Sequence, residues 1–243
     1  ARFFRVKPRE RGPRAGMDAM MLAAAVPAAF AGQLADFGAG AGAAGLAVAS
    51  RCMEARVLLV ERAAEMAAFA RRSLALPANA HLAARADVVE ADDGLAGKAR
   101  IAAGLGDCSF DFVIMNPPFN ARHDRPTPDE LKREAHVMDV DLFEAWIRSA
   151  AAVVRPRGGI AVIARPTSLR AILDALDGRF GKAEIVAVHP RAGEAAIRVI
   201  VRAVRASRAA LAIRPPLVLH EDGDRFSAQA DAINNGRASL FND

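Results

Sequence analysis

The sequence has no tyrosine, one tryptophan (Trp146), two cysteines (Cys52 and Cys108) and four lysines (Lys7, Lys98, Lys132 and Lys182) in 243 residues. Two cysteines, both expected in core elements, exclude a disulfide framework and make a reducing cytoplasm the default compartment. Long apolar runs are also missing. The longest, Met20 to Ala31, is about 12 residues long and contains Pro27, whereas a bilayer span needs about 20. A basic segment with Asp18 precedes this run and a strand-like segment follows it at once, which is not the layout of a signal peptide. His81, His123, His136, His189 and His220 are scattered, with no spacing that gathers ligands on one helix face, so no metal site is expected. The chain opens on Ala1 rather than Met, and residues before it are expected.

What is present is apolar and ordered. Hydrophobic residues make up 53% of the chain, there is no low-complexity tract, and the length suits one large α/β domain. Net charge is +5. The excess is carried by arginine and concentrates in two places. Arg2, Arg5, Lys7, Arg9, Arg11 and Arg14 meet only Glu10, while Arg191, Arg198, Arg202, Arg205, Arg208 and Arg214 meet only Glu194. Basic surfaces at both ends suit a phosphate backbone, although a solvated charged face is an equal reading.

Residues 116–119 read Asn-Pro-Pro-Phe directly after the apolar run Phe110 to Met115. At the end of a strand, the Asn116 side-chain oxygen and the Pro117 carbonyl can both accept hydrogen bonds from one exocyclic amine. Phe119 offers a flat face to a planar ring, and Pro117 and Pro118 stiffen the backbone so that the acceptors stay aimed. The plainer alternative is a proline-rich turn after a buried strand.

Upstream, Leu34 to Gly42 places an acid, Asp36, before glycines at alternating positions, Gly38, Gly40 and Gly42. A helix from Ala43 to Met53 follows. Strand, glycine turn and helix N-terminus together make a cradle that a ligand can approach closely. Val57 to Val60 is a second strand ending in Glu61, about 20 residues past the glycines, where an acid can grip two ribose hydroxyls. A third strand, Asp87 to Glu90, leads to Asp92 and Asp93, where a carboxylate can accept from an adenine amino group.

The series Asp36-x-Gly38-x-Gly40, Glu61, Asp92 and Asn116-Pro-Pro-Phe resembles the class I S-adenosylmethionine-dependent methyltransferases that methylate amino groups. The segment Arg11-Gly12-Pro13-Arg14-Ala15-Gly16-Met17-Asp18-Ala19-Met20-Met21-Leu22-Ala23-Ala24 resembles the stretch before the cofactor loop in the tRNA1(Val) adenine-N6 methyltransferase family. His189 to Gly193 and Pro215 to His220 are similar to later segments of that family; Glu194 stands where a basic residue is anticipated. The resemblance implies S-adenosylmethionine as cofactor, tRNA as partner, and a place for Arg14 and Asp18 at the cofactor or base pocket. It implies transfer of the methyl group to adenine N6. A guanine-N2 methyltransferase of ribosomal RNA and a glutamine-N5 methyltransferase of proteins are the neighbouring alternatives. From other classes, a dinucleotide oxidoreductase leaves Asn116 to Phe119 unexplained, and a non-enzymatic RNA-binding module leaves the acids unexplained.

The predicted architecture is α/β: one doubly wound, Rossmann-like fold with a seven-stranded, mostly parallel sheet and helices on both faces. Helices are expected at Asp18–Ala31, Ala43–Met53, Ala63–Leu76, Leu95–Ala103, Asp141–Val154 and Ser168–Leu176. Strands are expected at Gln33–Phe37, Val57–Glu61, near Glu90, and at Phe110–Met115, Gly159–Ala164, Ile185–His189 and Ile197–Val204. Asn120 to Ala135, polar and holding Pro126 and Pro128, reads as a loop over the site. Residues 1–32 are expected to form a basic arm and a helix packing on the cofactor side, and 33–243 the methyltransferase domain, in one structural domain overall. Trp146, on an apolar stripe, is expected in the core.

Overall fold

The computed structural model describes residues 16–92, 94, 96–117, 129–221, 223 and 225–243, with 129–140 described by backbone alone. Alternating strands and helices build a single sheet, in the order β1 (Gly32–Phe37), β2 (Ala55–Glu61), β3 (Ala86–Glu90), β4 (Phe110–Met115), β5 (Val154–Ala164), β6 (Phe180–His189) and β7 (Arg198–Arg205). Two short strands, β8 (Ala212–Ile213) and β9 (Leu217–Val218), follow. The spatial order is β3-β2-β1-β4-β5-β7-β6-β8, with β9 also on β6. Every pairing is parallel except those of β7 with β5 and β6. The expected mostly parallel sheet is therefore present. Its seven long strands gain two short additions on one edge.

Period-two alternation sorts the core into two layers. Leu34, Leu59, Phe112, Ile114, Ala161 and Ile163 face one side, where α1 (Met17–Ala24), α2 (Ala43–Arg51) and α3 (Ala64–Leu74) contribute Leu22, Leu46 and Ala67. Phe37, Val60, Val113, Met115 and Val162 face the other, against Phe143, Trp146 and Ile147 of α5 (Asp129–Val153) and Ile172 of α6 (Leu169–Leu176). The short α4 (Gly97–Ala102) leads into β4, and α7 (Ala228–Asn234) packs with α1. Strands buried on both faces read as near-continuous apolar runs, which is why β1, β2 and β4 stand out in the sequence.

Four expectations need correcting. The first helix stops at Ala24 instead of Ala31, because Val26 precedes Pro27, and a residue before proline is disfavoured in the helical region. The segment expected as a loop through Ala135 is helical from Asp129 onward, and 118–128 lie outside the described residues. Strands β5 and β6 begin earlier than expected, at Val154 and Phe180, each across a register irregularity. Cys108 is exposed, on a turn with φ of 50°, while Cys52 is buried as anticipated.

Candidate active site

Strand register alone brings four elements to one edge. Phe37 pairs with Val60 on one side and Met115 on the other, and Glu61 pairs with Glu90. Asp92, Glu61, the turn after Asp36, and Asn116 thus leave four neighbouring strands in a row, each about 4.8 Å from the next. This is the carboxyl-terminal edge of the parallel sheet, where open α/β folds bind ligands.

The glycine turn is tied to the acids. Gly45 N–H donates to Asp36 Oδ2 at 2.8 Å, and Gly40 N–H donates to Glu61 Oε2 at 2.9 Å. Glu61 Oε1 also accepts from Ala63 N–H at 2.7 Å, so this one carboxylate holds the turns after β1 and β2 together. Asp92 Oδ1 accepts from Gly94 N–H at 2.8 Å. Gly38, Gly40 and Gly42 all have positive φ (67°, 58° and 89°). They differ in what surrounds them. A Cβ on Gly38 would meet the Trp146 ring at 2.6 Å and one on Gly42 would meet Leu59 at 2.8 Å, whereas at Gly40 the nearest atom, in Met66, is 3.7 Å away. The middle glycine is the one left with room beside its backbone.

Asp36 is 2% exposed. Burial pushes its carboxyl up to about 7; the Gly45 hydrogen bond opposes this, and the charge of Glu61 adds to it. Asp36 therefore acts as a staple for the loop from inside, and Glu61 and Asp92 are the acids with solvent-facing surface.

Asn116 leaves β4 opposite Gly38. Its Oδ1 is buried and has no hydrogen-bond partner, a costly arrangement for an amide oxygen. Pro117 beside it is buried. Of the residues expected at the site, Asp36, Gly38, Gly40, Glu61, Asp92, Asn116 and Pro117 come together. Arg14, Asp93, Pro118 and Phe119 lie outside the described residues. Asp18 lies at the same sheet edge, two strands from β4: its Oδ2 accepts from Arg198 Nε at 2.9 Å, where β7 starts beside the end of β5.

The C-terminal run of arginines is largely engaged inside the fold. Arg202 is 9% exposed and bonds Glu184 and Asp243; Arg205 donates to the Ala151 and Arg179 carbonyls; Arg214 pairs with Glu184. Arg191 lies 3.6 Å from Glu194, which accounts for an acid in that loop. Among the described residues no group of three His, Cys, Asp or Glu could hold a metal ion, and no helix is long and apolar enough to cross a membrane.

These residues fit S-adenosylmethionine. The open backbone at Gly40, the Glu61 carboxylate with spare lone pairs and the Asp92 carboxylate are suited to a cationic nucleoside. Sequence reasoning missed Gly45, whose N–H holds Asp36, although a glycine in the first turn of a helix after a glycine loop is a visible signal.

Residues 15–191 match the methyltransferase small domain family. A solved structure from Agrobacterium tumefaciens, described as a predicted O-methyltransferase, is 47% identical, with a TM-score of 0.80 over 92% of this chain and 98% of that one. An S-adenosylmethionine-dependent O-methyltransferase from Thermotoga maritima is 15% identical, with a TM-score of 0.55 over 83% of this chain and 69% of that one. Geranyl diphosphate C-methyltransferase from Streptomyces coelicolor, solved with S-adenosyl-L-homocysteine, is 12% identical, with a TM-score of 0.52 over 77% and 74%. The last two show the shared fold. No curated protein matches the chain. The chain belongs to the methyltransferase small domain family, and it has the Rossmann-like fold and S-adenosylmethionine chemistry of the class I methyltransferases.

Proposed function

We propose that this methyltransferase acts on an exocyclic amino group, the N6 amine of adenine in a tRNA. The observation that carries the reading is the buried, unpartnered Oδ1 of Asn116 at the end of β4, opposite the glycine turn. An acceptor left unsatisfied inside the fold costs about 1–3 kcal/mol, and a substrate N–H that fills it recovers that cost at the reacting atom. Bound S-adenosylmethionine supplies an activated methyl group.

The rest is work for the chain's own residues. Asn116 accepts from the amine and orients its lone pair, while Pro117 keeps the acceptor in place. Glu61 and Asp92 hold the nucleoside end of the cofactor. An amide takes up no proton. That suits an exocyclic amine: accepting from its N–H favours the pyramidal nitrogen, whose lone pair is freed from the ring as the C–N bond forms, and the proton leaves after transfer; a hydroxyl is a poor nucleophile until a base removes its proton. The site's chemistry therefore favours nitrogen over oxygen as the acceptor atom. Adenine in tRNA is supported by the Asn-Pro-Pro-Phe series and the opening segment, which resemble the tRNA1(Val) adenine-N6 family. Guanine N2 presents the same kind of amine.

A second reading rests on the 47%-identical relative described as a predicted O-methyltransferase. One experiment separates them. The protein is incubated with methyl-labelled S-adenosylmethionine and unmodified total RNA, and the labelled nucleoside is identified after digestion. Label in N6-methyladenosine from the tRNA fraction is expected. Label in N2-methylguanosine would move the target base, label on a ribose oxygen would support the second reading, and unlabelled RNA would direct attention to other amines.

A further inference from the structure

The chain's one tryptophan, Trp146, belongs by sequence to an apolar helix stripe, and it is 7% exposed. Its surroundings are not those of an ordinary core residue. A Cβ built on Gly38 would stand 2.6 Å from its Cη2 and 3.1 Å from its Cζ3, so the benzo edge of the indole occupies the space a side chain at Gly38 would need. At Gly94, a Cβ would stand 4.0 Å from Trp146 Cδ1 and 3.2 Å from Asp92 Oδ1. The two ends of one indole thus reach two ligand-facing turns, one after β1 and the other after β3. The same ring packs in the layer that holds Phe37, Val60, Ala91 and Met115, each within one residue of the end of β1, β2, β3 or β4.

We infer that Trp146 is a positioning residue for the cofactor: its rigid ring sets the separation between the glycine turn at Gly38 and the Asp92–Gly94 turn. Neither turn can set that distance alone. The glycine turn is fastened to the end of β2, by Ala39 N–H to the Val60 carbonyl and Gly40 N–H to Glu61 Oε2, and Asp92 is fastened to Gly94 within its own turn. The strands below fix the two turns only through β2, about 9.6 Å apart across two strand spacings. A fused aromatic ring spans part of that gap with no internal torsion to relax, whereas leucine or methionine in its place is smaller and turns about its own torsions, and does not hold the distance. The inference concerns the cofactor half of the site and holds whichever amine or hydroxyl is methylated.

The test uses the chain's single tryptophan as its own probe. S-adenosylhomocysteine is titrated into the full chain while Trp146 emission is followed, with calorimetry in parallel. Binding is then compared for wild type, Trp146→Phe, Trp146→Leu and Val153→Ala. Val153 is fully buried on the same helix, seven residues and about 10 Å further along, near the opposite edge of the sheet. The expected result is an emission change that saturates with the calorimetric isotherm. Affinity should weaken about tenfold in Trp146→Leu and less in Trp146→Phe, and stay unchanged in Val153→Ala despite a lowered melting temperature. Emission indifferent to the ligand with wild-type affinity in Trp146→Leu would overturn the inference. Equal weakening in Val153→Ala would also overturn it, because loss of general stability would then explain the effect. A wild-type chain that binds no S-adenosylhomocysteine would remove the basis for this role and for the cofactor assignment together.

Discussion

Asp36→Asn removes one titration from the folded interior while keeping a side-chain oxygen for the Gly45 N–H. The carboxyl of Asp36 is raised from 3.8 to about 7, first by burial, against the Gly45 hydrogen bond, with Glu61 adding a like charge. A folded-state value above the unfolded one means that the folded protein prefers the proton. This stabilising preference is fully present below pH 3.8 and is lost as pH rises through about 7. Three units at 1.36 kcal/mol each bound the whole effect at about 4 kcal/mol. Between pH 5 and pH 8 the difference works out at about 2–3 kcal/mol, since part of it has already gone by pH 5. Urea unfolding at several pH values, for wild type and Asp36→Asn without ligand, isolates this group because every other titration cancels in the difference. Asp36→Asn should gain on wild type by that amount as pH rises from 5 to 8. A cationic ligand reverses the preference: S-adenosylmethionine should bind wild type more tightly at pH 8 than at pH 6, with a weaker trend for uncharged-sulfur S-adenosylhomocysteine. Parallel stability curves for the two proteins would refute the reasoning, because they would mean that Asp36 keeps an ordinary carboxyl inside the core.

Asn116→Ala should lower kcat by about 10²–10³. It should leave the affinity for S-adenosylhomocysteine unchanged and the melting temperature no lower, since an unsatisfied buried oxygen is removed. Steady-state kinetics and a thermal melt check both halves. Glu61→Gln keeps one oxygen for two turn N–H groups and loses the charge. Calorimetry with S-adenosylmethionine should show binding weakened about tenfold or more, with the folded circular-dichroism spectrum retained. Glu184→Ala leaves Arg202, which is 9% exposed, with Asp243 as its remaining acid, and should cost about 1.5–3 kcal/mol in urea unfolding at pH 7. Burial raises the Glu184 carboxyl, but hydrogen bonds from Arg202 and Arg214 outweigh it and hold the group below its usual value. Its contribution is therefore present above the unfolded value of 4.5 and lost as pH falls, so wild type and Glu184→Ala should converge in acid.

The cofactor half of this site could be read from the chain because its determinants are local. Asp36 and Gly45 are nine residues apart, and Gly40 and Glu61 twenty-one; each acid closes a strand whose apolar run announces it. The turn geometry needs positive φ at three alternating positions, and glycine fills them. The start of α5 is missed: Asp129 and Glu130 directly after Pro128 make a helix-opening pattern, and the polar composition of the segment obscures it.

The other half is built from partners far apart in sequence, and there linear clustering misleads. Arg198, Arg202 and Arg214 look like a basic stripe when counted along the chain, but their acids are Asp18, 180 residues away, Glu184, and Asp243, 41 residues beyond Arg202. Only the antiparallel return of β7 between β5 and β6 brings these charges face to face. A run of like charges shows how many acids the fold must supply or how much solvent it must admit, and cannot say which. In this chain the fold supplies acids to Arg198, Arg202 and Arg214. On the proposed RNA reading, positive charge for a phosphate backbone comes from arginines without such internal bonds, and exposed Arg208 is one in this run. Asp18 follows the same logic. The resemblance puts it at a pocket, and its carboxylate ties α1 to the first residue of β7, on the sheet edge from which Asn116 leaves β4.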